Sequence, residues 1–88
     1  MEIDKLTGLM CAECGISINE YHSSFRYGRL SDARHMVVYA LYLLGQNNSH
    51  ISRLTGFSRP YISAAIRKIN YNQRLLIENI LRQNGFSE

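Results

Sequence analysis

Residues 48–70 read NSHISRLTGFSRPYISAAIRKIN, and the parsing of this stretch decides the fold. It reads as two short helices joined by a tight turn. Asn48 or Ser49 can cap the first, which carries Ile51, Leu54 and Thr55 before Gly56 breaks it. Gly56 stands where a helix-turn-helix needs a left-handed cap, a conformation glycine adopts without steric cost. Ser58 can cap the second helix, with Pro60 in its first turn, where a missing N–H does no harm. Along that helix Ile62, Ala65, Ile66 and Ile69 recur at helical spacing and form one apolar face. Pro60, Ser63, Ala64 and Arg67 fall on the opposite face, with Tyr61 and Lys68 at its edge.

A helix–glycine–helix pair is common, and a basic helical hairpin of no particular function would satisfy the spacing. The charge pattern argues for more. Residues 33–77 contain no Asp or Glu, yet they contain Arg34, Arg53, Arg59, Arg67, Lys68 and Arg74. A phosphate backbone selects such one-signed stretches, because each paired Arg or Lys releases condensed counterions. The outer face of the second helix is small in the middle and basic at its ends, which suits entry into a DNA major groove.

Working outward, 88 residues make one domain, near the lower end of what a single apolar core can hold. A hydrophobic fraction of 45% with 19% charged residues describes a folded chain. The net charge of +3 is modest, so the sign asymmetry carries more information than the total. The start, MEIDKLTGLM, is acidic where a secretory segment is basic. The longest apolar run, residues 36–44, is far short of the ~20 residues that span a bilayer. These features predict a soluble, cytoplasmic protein without membrane contact. No phosphate loop, HExxH pair or nucleophile elbow is present. A binding protein without enzymatic activity or cofactor is therefore expected.

The remaining segments predict an all-α domain. Ile3, Leu6, Met10 and Cys14 mark a first helix over 3–14, ended by Gly15, and Ser17 caps a short turn through Tyr21. Residues 22–30 read as a basic loop. Ser31 would cap a central helix over 32–44, with Asp32 in its first turn, apolar nearly all round after Met36 and so buried. The helix-turn-helix occupies 48–69. A last helix over 72–84 places Leu75, Leu76, Asn79 and Ile80 on neighbouring turns, leaving Phe86-Ser87-Glu88 frayed.

Three groups of side chains invite functional readings. Cys11 and Cys14 share a helix face, but a structural zinc site needs four ligands and no second pair exists. Small core residues are the expectation for both, and no metal is expected. Arg26 and Arg29, interleaved with Phe25 and Tyr27, could be a solvated loop or an arm for an adjacent minor groove. Arg59 begins the recognition helix, where a bidentate contact to guanine is feasible; its plainer role is a phosphate contact. Tyr61 could touch a phosphate or stack, or equally pack over the turn beside Phe57, and Ser63 and Ala64 matter by being small. Arg53, Lys68 and the capping pair Asn48 and Ser49 would position the backbone. Six tyrosines spread over several elements do not form a single-strand stacking platform.

The run CAECGISINEYHSSFRYGRLSDARHMVVYALYLL, followed by ISRLTG and SAAIRKI, resembles the C-terminal DNA-binding domain (domain IV) of the bacterial replication initiator DnaA. The resemblance covers residues 3–83. Its most specific pieces are the Gly-Ile-Ser after the first helix, the Ala33-Arg34 opening of the Met/Tyr-containing helix, and Ile66-Arg67-Lys68-Ile69. It implies an all-helical, Trp-repressor-like fold that binds duplex DNA, with an arginine at or beside Arg26 entering the minor groove. The family's recognition helix opens with Gly-x-Asp-His-[Ser/Thr]-Thr; here those positions hold Gly56, Phe57, Ser58, Arg59, Pro60 and Tyr61. The scaffold is similar and the reading head differs, so the initiator's own box is not implied. The initiator's ATPase domain is absent from these residues, which points to a stand-alone DnaA-like protein, from a mobile element or a regulator, or to a domain of a longer chain.

The combined expectation is sequence-specific duplex binding in replication or transcription control, through Arg26, Arg29, Asn48, Ser49, Arg53, Ser58, Arg59, Pro60, Tyr61, Ser63, Ala64, Arg67 and Lys68. The rival from another class is a module of the same fold that no longer reads DNA and docks on a replication or regulatory protein. Monomer and homodimer both stay open: DnaA-like use implies an asymmetric site, Trp-repressor-like use a palindrome.

Overall fold

The computed structural model describes residues 3–23 and 28–86. Six helices lie among them: α1 (Ile3–Cys14), α2 (Ile18–Tyr21), α3 (Gly28–Leu43), α4 (Asn48–Thr55), α5 (Arg59–Lys68) and α6 (Tyr71–Gln83). No strand occurs among the described residues, and no helix there is long and apolar enough to cross a membrane.

Helix α3 is the axle of the domain. Its sequence turns apolar on every side after Met36, and every residue from Met36 through Leu41 is buried. A helix with no polar face must be surrounded, and α1, α4, α5 and α6 pack around it. Leu6, Met10, Leu30, Val37, Val38, Leu41, Ile51, Ile62 and Ile77 fill the core as its largest fully buried side chains. Burying each such side chain contributes about 1.5–3 kcal/mol, so this set dominates the stability.

The start of α3 differs from expectation. The helix begins at Gly28, so Ser31 and Asp32 lie inside it rather than at its cap. The reason is tertiary. Leu30 and Ala33 are fully buried and continue the stripe of Val37 backward by two turns, and that burial outweighs a local capping signal. Residues 28–30 thus belong to α3 and not to the expected loop.

Arg34 explains how α2 is held. Its guanidinium donates to the carbonyl of Tyr21 at 2.7 and 3.2 Å and to that of Ser23 at 2.6 Å. It also lies 5.8 Å from the centre of the Tyr21 ring. Helix α2, only four residues long, adds a reciprocal cap: Ser17 Oγ accepts from the Glu20 N–H, and the Glu20 carboxylate from the Ser17 N–H.

The cap of α4 is Asn47, not Asn48 or Ser49: Asn47 Oδ1 accepts from the His50 N–H at 2.9 Å. Asn48 is thereby released to reach α5. At the other end Gly56 adopts φ +79°, as the turn requires, and its N–H closes on Ser52 O at 2.8 Å. The turn is laced by Ser52 Oγ donating to Phe57 O at 2.6 Å and by the Phe57 N–H donating to Thr55 Oγ1 at 3.2 Å. Ser58 Oγ accepts from the Tyr61 N–H, and Pro60 follows in the first turn of α5.

Helix α6 starts on an Asn70–Gln73 capping box and buries Ile77, Ile80 and Leu81. Leu75 and Asn79, expected on the core face, point outward; Leu75 is 44% exposed. The inward stripe is set by which residues meet α3, and Ile77 and Leu81 sit one turn apart on that side. Phe86 is not frayed. Its N–H donates to Leu81 O at 3.0 Å, its ring packs on the core, and Lys5 Nζ lies 5.6 Å from the ring centre. Ser87 and Glu88 lie outside the described residues.

Candidate nucleic-acid interface

Helix α5 divides cleanly into two sides. Ile62 and Ala65 are fully buried against α3, and Ile66 and Ile69 are half-buried beside them. Arg59, Pro60, Arg67 and Lys68 are exposed. Between these sides sit Ser63 and Ala64, both half-buried. Ser63 is engaged, because Asn48 Nδ2 donates to its Oγ at 3.2 Å.

Tyr61 is held by its neighbours. Its ring lies 4.8 Å from that of Phe57 and 5.8 Å from that of His35, tilted against each. Both separations suit aromatic packing. Tyr61 thus packs beside Phe57, with His35 on its other side.

The sequence-derived site residues distribute unevenly. Ser58, Arg59, Pro60, Arg67 and Lys68 belong to α5 or its cap, and Asn48 joins them through Ser63. Ser49 is half-buried in the first turn of α4, and Arg53 is exposed in its last turn. Arg29 is exposed at the start of α3, and its Nη1 lies 3.7 Å from where a Cβ on Gly15 would sit. It thus extends toward the turn between α1 and α2. Arg26 lies outside the described residues.

Charge reinforces the division. Neither α4 nor α5 contains a carboxylate. The salt bridge found between described residues joins Arg74 to Glu78 at 3.0 Å, within α6. Arg34, committed to carbonyls, and Arg74, paired with Glu78, are two of the six cations in the acid-free stretch whose charge is already occupied by the fold.

A groove of about 470 Å³ runs between α3 and α5. Ser31, Arg34 and His35 line it from α3, Gly56, Phe57 and Ser58 from the turn, and Tyr61 and Lys68 from α5. Burial lowers the pKa of His35 from its ordinary value, the Lys68 ammonium lowers it further, and Asp32 opposes them weakly. Sequence reasoning passed over Ser31 and His35. Their i, i+4 spacing puts them on one helix face, but which face meets α5 is a matter of packing that no local pattern carries.

The cysteines lie apart from this region. Cys11 is buried, and the half-buried Cys14 donates its thiol to Met36 Sδ at 3.5 Å. Burial, with smaller contributions from Asp32 and other neighbours, pushes the Cys14 thiol up to about 11. Among the described residues no three His, Cys, Asp or Glu side chains gather as a metal site would require.

No family model matches this chain, and neither the curated proteins nor the solved structures include one that does.

Proposed function

We propose that the chain is a helix-turn-helix protein that binds duplex DNA, with α5 in the major groove. The observation that carries this reading is the outer side of α5. It presents Arg59, Arg67 and Lys68 to solvent, on a helix pair without a single carboxylate. A polyanion matches that surface, and the rigid hold of Ile62 and Ala65 on α3 fixes the angle at which the helix is offered. Arg59, at the helix start, reaches a guanine edge; Arg53 and Lys68 contact phosphates. On the DnaA-like reading, Arg26 enters the neighbouring minor groove, with Arg29 at the start of α3 flanking it, and the role is replication or transcription control in a bacterial cytoplasm.

The test is a titration against a random-sequence duplex pool at two salt concentrations, with the bound fraction sequenced. An enriched motif with a steep salt slope supports specific binding, and its symmetry reports monomer or dimer. Binding without enrichment reduces the role to an architectural one. Absence of binding at low salt overturns the proposal.

The rival is a module of this fold that docks on a replication or regulatory protein. It is favoured by the Ser58-Arg59-Pro60-Tyr61 departure from the family signature, and by Tyr61 being packed between Phe57 and His35 instead of offered outward.

A further inference from the structure

We infer that the groove between α3 and α5 seats one phosphate of the bound strand between Lys68 and His35, and that His35 takes up a proton as the duplex docks. This rests on the duplex-binding reading above and adds a regulation to it.

The groove has the chemistry for one anion. Lys68 supplies a fixed positive charge, and Ser31 and Ser58 supply hydroxyl groups. No carboxylate lines it. Tyr61 and Lys68 stand two helical turns apart, about 10 Å along α5, so the groove follows the recognition helix rather than pitting its end. A strand laid along α5 therefore passes it.

His35 is the group whose charge can change there. From α5 it faces Lys68 and Tyr61, and on its own helix Asp32 and Arg34 are the charged neighbours. The turn contributes no titratable group to the lining. With the groove empty, burial and the Lys68 ammonium both favour neutral imidazole. A phosphate between the two reverses the larger electrostatic influence and favours imidazolium. Proton uptake and phosphate seating are then one linked event.

The test uses the full chain with an enriched duplex from the selection, or a random duplex if none is enriched. Salt titrations at about pH 5.5 and about pH 7.5 bracket the ordinary imidazole range. Affinity is expected to fall about threefold to tenfold toward the higher pH, and the salt slope to lose about 0.9, the worth of one phosphate contact. Calorimetry in buffers of different ionisation enthalpy is expected to show proton uptake near neutral pH. His35→Gln is expected to bind with no pH dependence in this range, whereas His22→Gln and His50→Gln keep the parent's response. A slope identical at both pH values, no proton uptake by the parent, or a pH response surviving in His35→Gln overturns the inference and leaves duplex binding intact. No binding at either pH overturns both.

Discussion

Asn48 Nδ2 and Ser63 Oγ lie 3.2 Å apart and join the first residue of α4 to the middle of α5. Each was expected to face DNA, and in the fold the two also bond each other. The bond fixes the angle of the helix pair from the side opposite the turn. Asn48→Ala is expected to lower unfolding free energy by about 0.5–1.5 kcal/mol, read by urea denaturation, and to weaken all duplexes alike. Unchanged stability with a lost base preference would instead make Asn48 a direct reader.

Arg59 and Arg34 look equivalent in sequence and behave oppositely in the fold. Arg59 is exposed on α5. Its truncation to Ala is expected to leave thermal unfolding nearly unmoved, to cost about 1–3 kcal/mol in duplex affinity and to relax preference at one base pair. If Arg59→Ala binds every duplex as well as the parent does, the groove geometry fails.

Arg34→Ala removes the donors to the Tyr21 and Ser23 carbonyls. Hydrogen bonds from a charged group are worth about 1.5–3 kcal/mol, so a loss of that order is expected in chemical denaturation. Amide exchange across α2 should accelerate with it. A destabilisation no larger than that of Arg59→Ala would show that α2 is held by other contacts.

Gly56→Ala isolates a purely conformational cost. A Cβ there meets nothing within 4 Å, yet φ is +79°. The penalty is that of the left-handed region alone, about 1–2 kcal/mol, and should appear as a lower melting temperature. An unchanged melting temperature would mean that the turn relaxes.

His35 gives the free protein its own pH dependence. Its folded pKa is lowered below the ordinary 6.5, so the unfolded chain binds the proton more readily. That stability is fully present above 6.5 and is lost as pH falls through the folded value. The urea midpoint of the parent should drop relative to that of His35→Gln between about pH 7.5 and about pH 5.5. On the proposal above, acid loosens the free protein while tightening its hold on a phosphate, and these opposite signs separate the two effects.

How much of this was legible depended on how local each cause is. Gly56, Ser58 and Pro60 act within their own turn, and the end of α4 and the start of α5 follow from them. The apolar run of α3 announced its burial for the same reason as far as Leu41, although Tyr42 just beyond it is exposed. The start of α3 did not announce itself, because Leu30 is helical by virtue of the core it enters. The inward stripe of α6, the anchoring of Phe86 and the groove beside His35 likewise depend on which helix lies opposite. Two of six cations in the acid-free stretch could be discounted only once Arg34 was seen on carbonyls and Arg74 on Glu78.

The two-sidedness of α5 has a consequence for how such a protein changes over generations. Ile62 and Ala65, which tie the helix to the core, share no position with Arg59, Pro60 and Arg67, which meet solvent. Substitution at the outer positions leaves no cavity and strands no buried polar group, so it passes below the threshold at which folding fails. Mutational tolerance is concentrated where a partner would be chosen. A lineage carrying this domain can drift from one target to another by single steps, each intermediate remaining folded.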